Sequence, residues 1–298
     1  MRVTGRKLWQ AIPTLVLALA VLGCGRNGAV RVSSKEFTEQ LLLGQITLLT
    51  LEDAGIKVED KTGIAGSNKL RSALLHDDID IYWEYTGTGW LSHLQHTRAI
   101  ADPRQCYEQV RDEDRRNGIE WLPCAPVNNT YTIMMRKARA ESLGIRTVSQ
   151  MAQQSDKLSF AVDHEFTARP DGLPGLQAAY GLKQKEDKIL VMDNAIIYKA
   201  LKDDQADLGM GFSTDGRIAA FNLVNLVDDK NFFPAYNPAP NMRTQFARDN
   251  PKIVDILNRV SAKLDNQVIT QLNYQVDIEQ KVPRDVALAW LRKTGLVK

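Results

Sequence analysis

The chain has 298 residues, 44% of them hydrophobic and 25% charged, which is enough for two lobes with substantial cores and shows no compositional sign of disorder. Its formal net charge is +2 with both signs interspersed, so neither a nucleic-acid surface nor a polybasic membrane patch is indicated, and a small partner is expected. In chain order, a strand is predicted at Val30 to Val32 and a helix from about Thr38 to Ala54, stopped at Gly55. A strand near Ile56 to Val58, a helix capped by Ser67 and a strand from Ile79 to Tyr85 follow. In that last strand Ile79, Ile81, Trp83 and Tyr85 alternate with Asp80, Tyr82 and Glu84, the period of a half-buried strand. It runs into Thr86-Gly87-Thr88-Gly89, read as a flexible, hydroxyl-rich turn whose backbone N–H groups face an anion at a helix N-terminus. A further strand spans Leu158 to Val162. Beyond Pro238 only helices are predicted: one led by Asn250-Pro251, one around Val268 to Tyr274, and one from Pro283 to Thr294 stopped by Gly295. The pattern is α/β alternation with a helical tail.

The first residues are read apart from the fold. Arg2, Arg6 and Lys7 precede the apolar run Ile12 to Leu22, short for a membrane span but suited to a signal peptide, here taken as 1–23. Its end, Val21-Leu22-Gly23-Cys24, resembles the lipobox of bacterial lipoproteins, in which the cysteine becomes a lipid-modified N-terminus; the alternative is a plain secreted protein. Export permits disulfides, and removing Cys24 leaves an even pair, so Cys106 and Cys124 are expected to be bridged on parity and compartment alone, the alternative being two unpaired buried thiols. The four histidines, His76, His93, His96 and His164, are scattered and indicate no metal site, with His93 and His96 read as solvated helix positions.

An internal repeat lies in the chain. Residues Ala73 to Ile81 align without a gap on Ala200 to Leu208, and the alignment continues to pair Tyr85-Thr86 with Phe212-Ser213. Upstream, Lys35-Glu36-Phe37-Thr38 recurs as His164-Glu165-Phe166-Thr167, each after an apolar strand. Two echoes in one order argue for two lobes of similar build, each ending a corresponding strand in an aromatic and a hydroxyl. Crossings between lobes are expected in Ala125 to Tyr131 and in Phe233 to Pro238, both rich in Pro and Asn. Tyr85, Tyr131, Phe212 and Tyr236 would then converge on one cleft between lobes, although each ring singly suits plain packing.

Six segments resemble a known family: Ser33 to Gln40, Asp80 to Thr88, Asn128 to Tyr131, Arg169 to Gly172, Phe212 to Gly216 and Phe232 to Tyr236. Together they are similar to the substrate-binding proteins of ABC transporters for glycine betaine, choline and related osmoprotectants. The resemblance implies a two-lobed, hinge-closing α/β periplasmic-binding-protein fold, with 24–130 and 239–298 as one lobe and 131–238 as the other. It further implies that Tyr85, Tyr131, Phe212 and Tyr236 box a quaternary ammonium group, while Lys35, Thr88 and Arg169 hold a carboxylate. At the third ring position the family usually has tyrosine, whereas this chain has Phe212. The chemistry is consistent, because a trimethylammonium group donates no strong hydrogen bond and is recognised best by aromatic faces. Lys35 and Arg169 would repel a bare cation, so a zwitterion suits both halves. The implied partners are a small betaine-like ligand, an ABC permease and its ATPase subunit. The chain itself has no Gly-x-x-x-x-Gly-Lys-Ser/Thr phosphate loop and is expected to need no cofactor. A lipid-anchored monomer in the periplasm is the expected form, with choline, carnitine and ergothioneine as alternative ligands. The rival class, an enzyme, rests on two-lobed α/β clefts also hosting catalysis and on the cluster Asp163-His164-Glu165, which reads better as a polar strand end opening a helix, since no nucleophile motif or metal spacing accompanies it.

Overall fold

The computed structural model describes residues 28–298. The expected signal segment 1–23 and Cys24 lie outside the described residues. Among the described residues ten strands form two five-stranded sheets. The first contains β1 (Val30–Ser33), β2 (Val58–Lys61), β3 (Ile81–Tyr85), β4 (Ile119–Trp121) and β10 (Pro238–Arg243), in the order β2-β1-β3-β10-β4. The second contains β5 (Tyr131–Arg136), β6 (Phe160–Val162), β7 (Ile189–Val191), β8 (Leu208–Phe212) and β9 (Leu223–Asn225), in the order β7-β6-β8-β5-β9. In each, four strands run in one direction and a single antiparallel strand, reached after the chain crosses from the other sheet, is inserted between them: β10 between β3 and β4, as β5 between β8 and β9. The repeat read from the sequence is thus a repeat of topology. It extends to detail, since Asp77 and Asp204, equivalent in the alignment, both take left-handed backbone near φ 61°. Arg243 donates to Leu74 O at 2.9 Å and pairs with Asp77, while Arg136 donates to Leu201 O at 2.9 Å and pairs with Asp204.

Several local expectations change. Helix Thr38–Asp53 ends before Gly55 as predicted, but the second strand lies two residues later, and Ser67 opens helix Ser67–Leu75 rather than capping it, with Gly66 at φ 90° before it. The tail is not purely helical: Pro238 and Pro240 sit in β10, a central strand, where prolines are unexpected because they cannot donate to a ladder. They serve there through their carbonyls, which accept from Ala125 N at 2.9 Å and Leu122 N at 3.0 Å. Cys106 and Cys124 are both free thiols, not the expected bridge. Even parity in an oxidising compartment permits a disulfide, but pairing depends on how the two Cβ vectors meet. Cys106 is directed into the core from helix Pro103–Asp114, and Cys124 Sγ lies 4.0 Å from Asn237 O; burial pushes both thiols up, Cys106 to about 11.

Helices Pro251–Ser261, Asn266–Asp277 and Pro283–Lys293 pack on helix Thr38–Asp53, joining Leu42, Leu43 and Ile46 to Leu272, Trp290 and Leu291 in one core. The second sheet has its own core around Ile133, Phe160, Phe166 and Ile197. The chain passes between the sheets in Leu122–Thr130 and returns before Pro238. The two passages hold each other: Asn129 N donates to Tyr236 O at 3.0 Å and Asn237 Nδ2 to Val127 O at 2.6 Å. Among the described residues no helix is long and apolar enough to cross a membrane.

Candidate functional site

Between the sheets lies a cleft of about 930 Å³, and Tyr85, Tyr131, Phe212, Tyr236, Lys35, Thr88 and Arg169 all line it. The carboxyl ends of equivalent strands deliver two rings, Tyr85 from β3 and Phe212 from β8; Tyr131 begins β5, and Tyr236 stands in the return passage. Phe37, the residue before helix Thr38–Asp53, joins them. Its ring stacks on Phe212 at 4.9 Å between centroids and faces Tyr85 at 6.3 Å. Tyr131 continues the series, 5.5 Å from Phe212 and 5.4 Å edge-on to Tyr236. The rings therefore run Tyr85, Phe37, Phe212, Tyr131, Tyr236 around an arc. Gly87 closes it, because a Cβ there would come within 2.7 Å of the Tyr236 ring, so only a bare backbone lets Tyr236 approach the end of β3.

The phenols are buried, which raises the pKa of each well above the usual tyrosine value, so they stay neutral. Two of them lean on acids: Tyr85 OH donates to Glu39 Oε1 at 2.7 Å, and Tyr236 OH donates to Asp171. Arg169 donates to Asp171 Oδ1 at 2.8 Å and Glu165 Oε1 at 3.0 Å, and reaches across the cleft to Thr88 Oγ1 at 3.3 Å. Its guanidinium also lies 5.7 Å from the Tyr131 ring. Burial alone would lower the Arg169 pKa, but its acidic and phenolic neighbours raise it, and it remains charged. Lys35 donates to Glu84 Oε1 at 2.7 Å, and His93 Nε2 lies 2.9 Å from the other oxygen. Glu84 is fully buried, which would raise it, yet the Lys35 charge and His93 hold it down to about 2. The two cations placed at the anion end are thus already matched by carboxylates. A second link crosses the mouth, where Ser67 N donates to Glu165 Oε2 at 3.4 Å.

All seven residues expected at the site share the cleft, but the turn reading changes. Thr86–Thr88 is a buried helical turn, Thr86 N is spent on Asn237 O at 3.1 Å, and Thr88 contributes its hydroxyl rather than a backbone cradle. His93 is buried against Glu84 and not solvated. Asp163, His164 and Glu165 form no catalytic array: Asp163 caps helix His164–Ala168 through Phe166 N at 2.7 Å, and Glu165 pairs with Arg169. Phe37, Glu39, Glu84 and Asp171 went unnoticed as site residues. For Phe37 a signal existed, since the Phe37/Phe166 echo marks both, and Phe166 packs edge-on to Tyr131 at 5.1 Å.

A family model described as the substrate binding domain of the ABC-type glycine betaine transport system matches residues 28–293. The chain is 37% identical to a glycine-betaine-binding protein of Pseudomonas aeruginosa, over 97% of this chain and 96% of that one. It is 33% identical to the glycine betaine-binding protein YehZ of Escherichia coli, over 98% and 99% of the two chains. A crystal structure described as a glycine betaine/carnitine/choline ABC transporter superposes with a TM-score of 0.73 at 27% identity, covering 90% of this chain and 99% of that one. With a two-sheet α/β fold shared with periplasmic binding proteins and an aromatic cleft between the sheets, the chain belongs to the family of ABC-type glycine betaine substrate-binding domains, transport proteins and not enzymes.

Proposed function

We propose that this protein captures glycine betaine, or a closely related quaternary-ammonium zwitterion, outside the cytoplasm and hands it to an ABC permease whose ATPase subunit drives uptake. The observation that carries the reading is the five-ring arc facing one cleft, since aromatic faces attract a desolvated quaternary ammonium by about 0.5–2 kcal/mol each. In this reading Tyr85, Tyr131, Phe212 and Tyr236, with Phe37, clasp the ammonium group, and Lys35, Thr88 and Arg169 face the carboxylate. The lobes are 24–130 with 239–298 and 131–238, and they close around the ligand through the paired passages. Cys24 carries a lipid anchor, and the protein acts as a monomer on the periplasmic side of its membrane. One observation favours choline as a second ligand: Lys35 and Arg169 are already neutralised by Glu84 and Asp171, so the cleft is not strongly repulsive to a bare cation. Calorimetric titration of the mature protein with betaine, choline, carnitine and ergothioneine tests the reading. Betaine binding at least as tightly as the others is expected. Absence of binding by all four would overturn it.

A further inference from the structure

Glu39 has no role in the scheme above, yet it sits directly behind the ring wall. A void of about 10 Å³ is lined by Phe37, Phe212 and Glu39 together, and the Tyr85 hydroxyl rests on its carboxyl. The side chain is 2% exposed, and among the described residues its hydrogen-bond partners include no lysine, arginine or histidine. Instead, four neutral donors converge. Oε1 receives Tyr85 OH at 2.7 Å and Asn129 Nδ2 at 2.9 Å, and Oε2 receives Thr214 Oγ1 at 2.5 Å and Asn273 Nδ2 at 3.3 Å. Both amides are oriented by second bonds, Asn129 Oδ1 accepting from Thr214 N at 3.4 Å and Asn273 Nδ2 donating to Thr214 O at 3.1 Å. Burial raises the Glu39 pKa above the usual glutamate value, and the hydrogen bonds from Thr214, Tyr85, Asn273 and Asn129 act against it; four donors on two oxygens complement an ionised carboxylate, whereas a carboxylic acid would add a fifth proton to the cluster. The residue also lies in the first turn of helix Thr38–Asp53, where the helix dipole favours a negative charge.

We infer that Glu39 is a fixed buried anion set behind the aromatic wall, a positioning residue that makes the cleft select a positive group over an uncharged group of the same shape. The inference rests on the quaternary-ammonium reading of the cleft. The charge acts directly on the ligand cation and through Tyr85, whose ring face grows more negative when its hydroxyl donates to a carboxylate. At a separation of roughly 8 Å and an effective dielectric near 20, the attraction is worth on the order of tenfold or more in affinity.

The test compares each cation with its carbon isostere: betaine with 3,3-dimethylbutanoate, and choline with 3,3-dimethyl-1-butanol. Wild-type protein should prefer the cation in both pairs. Glu39→Gln, close in shape but uncharged, should lower that preference about tenfold while leaving the Kd of each isostere within about twofold. Glu39→Asp should lower the melting temperature but keep the preference, which separates charge from packing. If Glu39→Gln does not fold, Tyr85→Phe supplies the readout by cutting the hydroxyl link, with a loss of preference of about threefold expected. Equal losses for cation and isostere, or an unchanged ratio in a wild type that is cation-selective, would overturn the inference alone. A wild type that binds the isosteres as well as the cations, or binds none of the four, overturns this inference together with the proposed function.

Discussion

Replacing Glu84 with glutamine removes the charge that holds Lys35, and the structure sets the size of the effect. Glu84 is 0% exposed and accepts from Lys35 Nζ at 2.7 Å and from Tyr85 N at 2.8 Å. Burial would raise its pKa, but Lys35 and His93 outweigh burial and bring it from 4.5 to about 2. At about 1.4 kcal/mol for each tenfold in proton affinity, the gap corresponds to about 3 kcal/mol of stability. Because the folded-state value is depressed, that contribution is complete above the unfolded value of 4.5 and is lost as pH falls toward 2. Glu84→Gln should therefore cost about 3–5 kcal/mol at pH 7, since Lys35, only 4% exposed, loses its hydrogen-bonded carboxylate and keeps only the charge interaction with Glu165. The variant should also lack the share of acid destabilisation that wild type shows below about pH 4.5. Urea unfolding of the mature protein at a series of pH values measures both effects, and Lys35→Met combined with Glu84→Gln should recover much of the loss. Parallel pH profiles for wild type and variant, or a double variant no more stable than the single one, would refute the coupling.

The rings and one cleft acid supply further tests. Alanine at Tyr85, Tyr131, Tyr236 or Phe37 should each weaken betaine binding by about 1–3 kcal/mol in calorimetry, and Phe212→Tyr should leave it unchanged or tighter; near-native affinity in all four alanine variants would remove the arc from the binding scheme. Asp163 lines the cleft, and burial is the main cause that lifts its pKa from 3.8 to about 6. A raised carboxyl stabilises the fold most at low pH and loses that contribution as pH rises through about 6, while its ionisation adds negative charge to the cleft. Choline should therefore bind more tightly at pH 7 than at pH 5, and Asp163→Asn, which keeps a good helix cap, should flatten the difference in paired titrations.

Much of the architecture was legible in the residue order. The repeat of Ala73 to Ile81 in Ala200 to Leu208 became two sheets of one topology, because strand period and turn chemistry are local and survive in each copy. The same locality placed Tyr85 and Phe212 at equivalent strand ends and brought all seven expected residues to one cleft. Tertiary structure decided the rest. A strand carrying two prolines reads as a loop until a neighbour uses its carbonyls, and two cysteines of even parity are both free although they share one core cluster. Lys35 reads as a free cation until Glu84, 49 residues on, is folded against it. Glu39 is the extreme case, with partners 46, 90, 175 and 234 residues away. No spacing rule joins such positions; only the three-dimensional path of the chain does, and burial makes each of those contacts strong by excluding the water that would otherwise compete for them.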